Sequence, residues 1–357
     1  MSADGPARVL AGAVRFLPKG RREWGRAMRA ELAAIAPDGG RWRFVLSCLR
    51  VVAAQRLAPR ALGYLLLGSA VLAGVVALTS PIGYPPLRRG LVGLVAVLVA
   101  GSGLARRRWL LGAAGTGRVA RLVGAGGYLV VGALALSVVL DMRGPVPNPG
   151  ETASAGVPIY TLLLTVYLVG FLAVTARRCA ATGRVLATGA GSGVAAALLW
   201  LGLVLLAPPV PADLGLAFAV IATAMTGAGY ANAGRRGGIG SGWLAALCAA
   251  TVAAPLIVLL VWGLARSGPA GLIPDLAPAA LAPADALDQS RIEINDPYVG
   301  LLALGCLAAA ALAAVSVATG RRAAARPRAV AAAAPGAVAG RPVTAPPVTP
   351  GTATSGP

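Results

Sequence analysis

WLAALCAATVAAPLIVLLVWGLA, residues 243–265, decides the fold of this chain. It holds no Asp, Glu, Lys, Arg or His. About 20 apolar residues cross the roughly 30 Å hydrocarbon core of a bilayer as an α-helix. Seven further charge-free stretches share this character: 61–80, 90–105, 122–140, 157–176, 185–207, 214–233 and 298–320. Together they predict an all-α fold, a polytopic transmembrane helix bundle of about eight spans. Residues 1–60 precede the bundle. Residues 321–357 follow it as an Ala/Pro/Arg-rich tail without aromatics, a composition that predicts disorder.

The composition agrees. Hydrophobic residues make up 57% of the chain, charged residues 12%, and the mean hydropathy is +0.76. A soluble domain carries about 25% charged residues. The net charge of +20 does not predict nucleic-acid binding, because the charge is sorted by side. With a cytoplasmic N-terminus, 27 of the 32 Lys and Arg residues fall on the cytoplasmic side. Lys and Arg favour that side, so both termini are expected on the cytoplasmic side of the membrane. Arg88 and Arg89, just before the shortest span, are the exception, and their long side chains are expected to snorkel to the interface. The external loops are Pro-rich, and the three short cytoplasmic loops contain no Pro. Val9–Leu17 is a short apolar run followed by a basic block, so the first span is expected to act as the insertion signal.

Residues 21–36 (RREWGRAMRAELAAIA) read as a helix, with Trp24, Met28, Leu32 and Ile35 on one face. Pro37-Asp38-Gly39-Gly40 ends it. Residues 41–57 (RWRFVLSCLRVVAAQRL) read as a second helix, with Trp42, Val45, Leu49 and Val52 as its stripe, widened by Phe44 and Cys48. Basic amphipathic helices of this kind suit the headgroup boundary, where Trp24 and Trp42 would dip toward the acyl chains. Arg22, Arg26, Arg29 and Arg43 would then meet anionic lipid headgroups. A helical hairpin packed on the cytoplasmic loops, or a surface for a protein partner within residues 1–60, fits the same pattern.

RREWGRAMRAELAAI followed by RWRFVLSCLRVV resembles the N-terminal signature of a group of multi-pass membrane proteins from high-GC actinobacteria. The resemblance covers roughly residues 21–57. It implies a bacterial membrane protein and brings no catalytic residue with it.

The spans offer little for chemistry. Ion paths and proton relays are usually marked by intramembrane ionisable residues, and the eight stretches contain none. Ser137, Ser192 and Ser316 have no neighbouring base in the sequence to activate them. The protein is therefore expected not to be an enzyme. No cofactor is expected either: the chain has no His, and its four Cys (48, 179, 248 and 306) are dispersed. The Gly-rich segment 237–242 lacks the Lys-Ser/Thr of a phosphate loop and reads as a tight turn. Gly189-x-x-x-Gly193 suits close helix packing. Pro255 is expected to kink its span. Residues 283–293, within the acidic loop 266–297, are expected to form a short surface helix.

Thr116-Gly117-Arg118-Val119 and Thr182-Gly183-Arg184-Val185 repeat before the third and fifth spans. Thr161, Thr165 and Tyr167 in the fourth span, with Thr226 and Tyr230 in the sixth, are candidates for a polar cavity. The sequence thus favours a non-enzymatic scaffold, sensor or partner subunit. The alternative is a permease for a neutral or lipidic small molecule.

Overall fold

The computed structural model describes residues 5–14, 22–35, 40–56, 59–105, 115–143, 149–177, 179, 181–234, 238–278 and 281–332. Among these the chain is helical, without a strand. The order is α1 (Gly5–Val14), α2 (Arg22–Ala34), α3 (Gly40–Arg56), α4 (Pro59–Thr79), α5 (Pro85–Ala105) and α6 (Arg118–Asp141). Then come the single turn α7 (Pro149–Glu151), a π-helical turn at Thr152–Gly156, α8 (Val157–Val174), α9 (Gly183–Leu206) and α10 (Gly215–Asn232). The chain continues with α11 (Gly238–Ser267), α12 (Pro283–Glu293) and α13 (Asn295–Ala332).

Six helical segments are long and apolar enough to cross a membrane: 85–103, 118–141, 149–174, 183–206, 238–267 and 283–319. They mark the chain as an integral membrane protein. The other two expected spans are also helical, as the apolar helix Gly63–Thr79 and as α10.

Several boundaries differ from the sequence reading. Helix α5 starts ahead of Arg88 and Arg89, because Pro85 and Pro86 suit a helix start, where the first N–H groups have no intrahelical partner. Both arginines are exposed. The segment expected as a tight turn at 237–242 enters α11 already at Gly238. Gly238 has φ +69, a left-handed value that costs a glycine nothing. The last helix runs past the expected end at 320 to Ala332, as the alanines at 323–325 favour. The rest of the expected tail, 333–357, lies outside the described residues, as does most of the turn at 37–40. The surface helix expected at 283–293 is α12, opened by Pro283 at its first turn.

The chain divides into two compact units. The first comprises residues 1–103 and 135–162. Its N-terminal part is a three-helix module with a core of its own: Leu10 from α1, Leu32 from α2, and Val45 and Cys48 from α3. Met28, Phe44 and Leu49 pack against that core. In α5, Leu87, Leu91, Leu94 and Leu98 are buried at the three- and four-residue spacing of one helix face. In α4, Leu65, Leu66 and Leu67 are exposed, as lipid-facing side chains are.

The second unit comprises residues 104–134 and 163–357. Helix α11 is its centre, packed by α9, α10 and α13. Of its most apolar stretch, 78% is buried inside the protein, and Pro255 lies within the buried part. Close approach rests on glycine. A Cβ on Gly189 would stand 2.7 Å from the Ala245 carbonyl oxygen, and one on Gly193 2.6 Å from that of Ala249. The Gly189-x-x-x-Gly193 pattern therefore serves packing within the chain. The Trp200 and Tyr298 rings meet edge-on, with centroids 5.8 Å apart. At the end of α11 the Arg291 guanidinium donates to the carbonyls of Gly268 (3.0 Å) and Arg266 (3.3 Å). This satisfies acceptors that a helix C-terminus leaves open.

Candidate functional site

In the N-terminal module the structure separates the two parts of the amphipathic stripe. Leu32, Val45 and Cys48 turn inward onto Leu10. Trp24 and Trp42 remain outside, 52% and 48% exposed, with Leu46 beside them in exposure. Arg22 begins α2. Arg26, Arg29 and Arg43 are exposed. Arg26 lies 3.6 Å from Glu23, and an ion pair this exposed contributes little to stability. Arg29 Nε donates to the Gly25 carbonyl in the preceding turn. The module's outer surface is thus basic with exposed indoles, and its apolar interior is already filled. Burial holds the Cys48 thiol above its ordinary pKa; a hydrogen bond with Ser47 opposes the shift and Glu31 adds to it.

The five polar residues of the fourth and sixth spans are not drawn into one environment. Tyr167 is fully buried and donates its hydroxyl to the Leu302 carbonyl at 3.0 Å. Thr161 donates to Val157 O within its own helix, and Thr165 is half-buried. Thr226 donates to Ala222 O on an exposed face of α10, the usual back-bond of a helical threonine. Tyr230 is 83% exposed. Tyr167 therefore serves helix packing, and Tyr230 faces away from the protein interior.

A third place emerges from the sequence repeat. The two Thr-Gly-Arg-Val segments open α6 and α9, and the structure brings them together. A Cβ on Gly183 would lie 3.9 Å from the Val119 Cβ. Between them is a cleft of about 320 Å³. Thr116, Gly117 and Arg118 line one wall, and Ala176, Arg177, Cys179 and Gly183 line the other. Gly115 N–H donates to the Thr175 carbonyl at 2.8 Å, which ties the start of α6 to the end of α8. Thr182 caps α9 by accepting from Val185 N–H. Arg118 and Arg177 are exposed at the rim, and among the described residues no Asp or Glu lines the cleft. The repeat by itself pointed to no site. The shared position of the two segments, each at a helix start on the arginine-rich side, was the signal for this site.

Among the described residues no group of His, Cys, Asp and Glu is placed to hold a metal ion. No family model, curated protein or solved structure matches the chain.

Proposed function

We propose that the protein is a non-enzymatic scaffold or sensor of the bacterial plasma membrane, with both termini cytoplasmic. Its three-helix N-terminal module rests against anionic lipid on the inner leaflet. The carrying observation is the division of labour in that module. A closed core of Leu10, Leu32, Val45 and Cys48 leaves Trp24, Trp42, Arg26, Arg29 and Arg43 on the outside. Indoles settle at the headgroup level. Each Arg near an anionic surface contributes about 1 kcal/mol of attraction. The permease reading draws less support, because Tyr167 is spent on a buried carbonyl and Tyr230 points outward.

The test uses the full chain in nanodiscs, with variants retaining either Trp24 or Trp42 as the only tryptophan of the module. Brominated lipid should quench both indoles when the bilayer contains phosphatidylglycerol, and added salt should reverse the effect. Absence of quenching in every bilayer would remove the lipid contact and leave a protein partner as the reading. Reporter fusions at residue 280 outside and residue 340 inside are the expected topology result.

A further inference from the structure

We propose that the cleft between the starts of α6 and α9 binds a phosphate group, presented by an anionic lipid headgroup at the membrane surface. The proposal is independent of the N-terminal module and survives if that module touches no lipid.

Four observations converge. First, the cleft is about 320 Å³, at the small end of the range of small-ligand sites, roughly 300–1,000 Å³. Second, its charge has one sign. Arg118 and Arg177 line it with no acid, and neither guanidinium has a partner among the described residues. Among the described residues that line it, Arg118 and Arg177 are the charged ones. Arg is the residue suited to phosphate, because its planar fork donates two parallel hydrogen bonds. Third, the walls supply neutral donors. Thr116 and the first-turn residues Arg118, Val119 and Ala120 of α6 line the space, and the first N–H groups of a helix have no intrahelical acceptor. Fourth, the cleft sits where two apolar helices begin, so at the boundary between hydrocarbon and water a lipid phosphate is at hand. Free phosphate offers the same chemistry without the acyl chains.

Cys179 lines the cleft and is partly exposed, so it reports occupancy without a new label. The other cysteines, Cys48, Cys248 and Cys306, are buried. The experiment measures the alkylation rate of Cys179, resolved by peptide mass spectrometry, in the full chain in phosphatidylcholine nanodiscs. One arm adds inorganic phosphate to the buffer. A second arm replaces part of the lipid with phosphatidic acid. Phosphatidic acid should slow Cys179 labelling several-fold. In R118Q/R177Q the affinity behind that protection should fall about 30-fold, from about 1 kcal/mol per arginine. R177K keeps the charge and should keep most of the protection.

Protection by inorganic phosphate at equal strength would assign the site to the free anion and overturn the lipid source. Labelling that is equally fast in all arms, or protection that persists in R118Q/R177Q, would overturn the site itself. Each comparison is made within one variant, with and without the anion, so a change in basal thiol reactivity does not enter. R26Q/R29Q/R43Q, which weakens only the N-terminal module, should leave Cys179 protection intact.

Discussion

Four glycines of α9 give a prediction in which the sign of the effect depends on position. Gly→Ala in a helix interior gains about 1 kcal/mol from backbone entropy alone. At Gly191 and Gly202 nothing lies within 4 Å of the added methyl, so G191A/G202A should be stabilised by about 1–2 kcal/mol. At Gly189 the methyl would meet the Ala245 carbonyl oxygen at 2.7 Å and the Cys248 Cβ at 2.8 Å. At Gly193 it would meet the Ala249 carbonyl oxygen at 2.6 Å and the Val252 Cβ at 2.8 Å. Backbone carbonyls cannot rotate aside, so α9 and α11 must separate. Overpacking of this kind costs about 1–3 kcal/mol per site. Set against the helix gain, G189A/G193A should lose about 2 kcal/mol, and the two double variants should differ by about 3–4 kcal/mol. Unfolding of the purified chain in mixed micelles, titrated with SDS and followed by tryptophan emission, reads the difference. Equal midpoints for the two doubles would refute the packing argument. A change of oligomeric state in G189A/G193A without a loss of stability would instead place the glycine face between two copies of the chain.

Three further outcomes are expected. Leu10→Ala empties a fully buried position in the module core and should cost about 2–5 kcal/mol. Limited proteolysis should then cut within residues 5–56 while the spans stay protected. Tyr167→Phe removes one buried hydrogen bond to Leu302 O and should cost about 0.6 kcal/mol, read in the same SDS titration. The raised pKa of Cys48 means that the folded module holds its thiol proton more tightly than the unfolded chain. Its stabilising contribution is complete at neutral pH and is lost as pH rises through and above the ordinary thiol range. Iodoacetamide should therefore leave Cys48 slow at neutral pH, and its rate should go on climbing with pH past the point at which a free thiol levels off.

Composition alone carried most of the architecture. A helix crossing lipid must satisfy its own backbone and expose no charge, so residues 243–265 announced α11 without reference to any neighbour. Partnership was harder to read. Trp24, Leu32, Val45 and Cys48 look alike on a helical wheel, but only the last three turn inward. What selects them is α1, a ten-residue helix whose apolar run is too short and too plain to stand out. The same holds for Tyr167 and Tyr230. Both sit in apolar spans, and only the packing of α13 against α8, with the Leu302 carbonyl in reach, separates a buried donor from an exposed ring. The cleft was half legible. Its two Thr-Gly-Arg-Val segments were visible as a repeat, but the approach of Gly183 to Val119 is a contact that sequence spacing does not encode.

The central place of α11 bears on how the protein is made. Ribosomes deliver α9 and α10 to the membrane first, and the groove around Gly189 and Gly193 waits empty until residues 238–267 arrive. A nascent chain stalled before that point carries a slot cut for a missing rod, open to lipid and to any quality-control protease that patrols the bilayer.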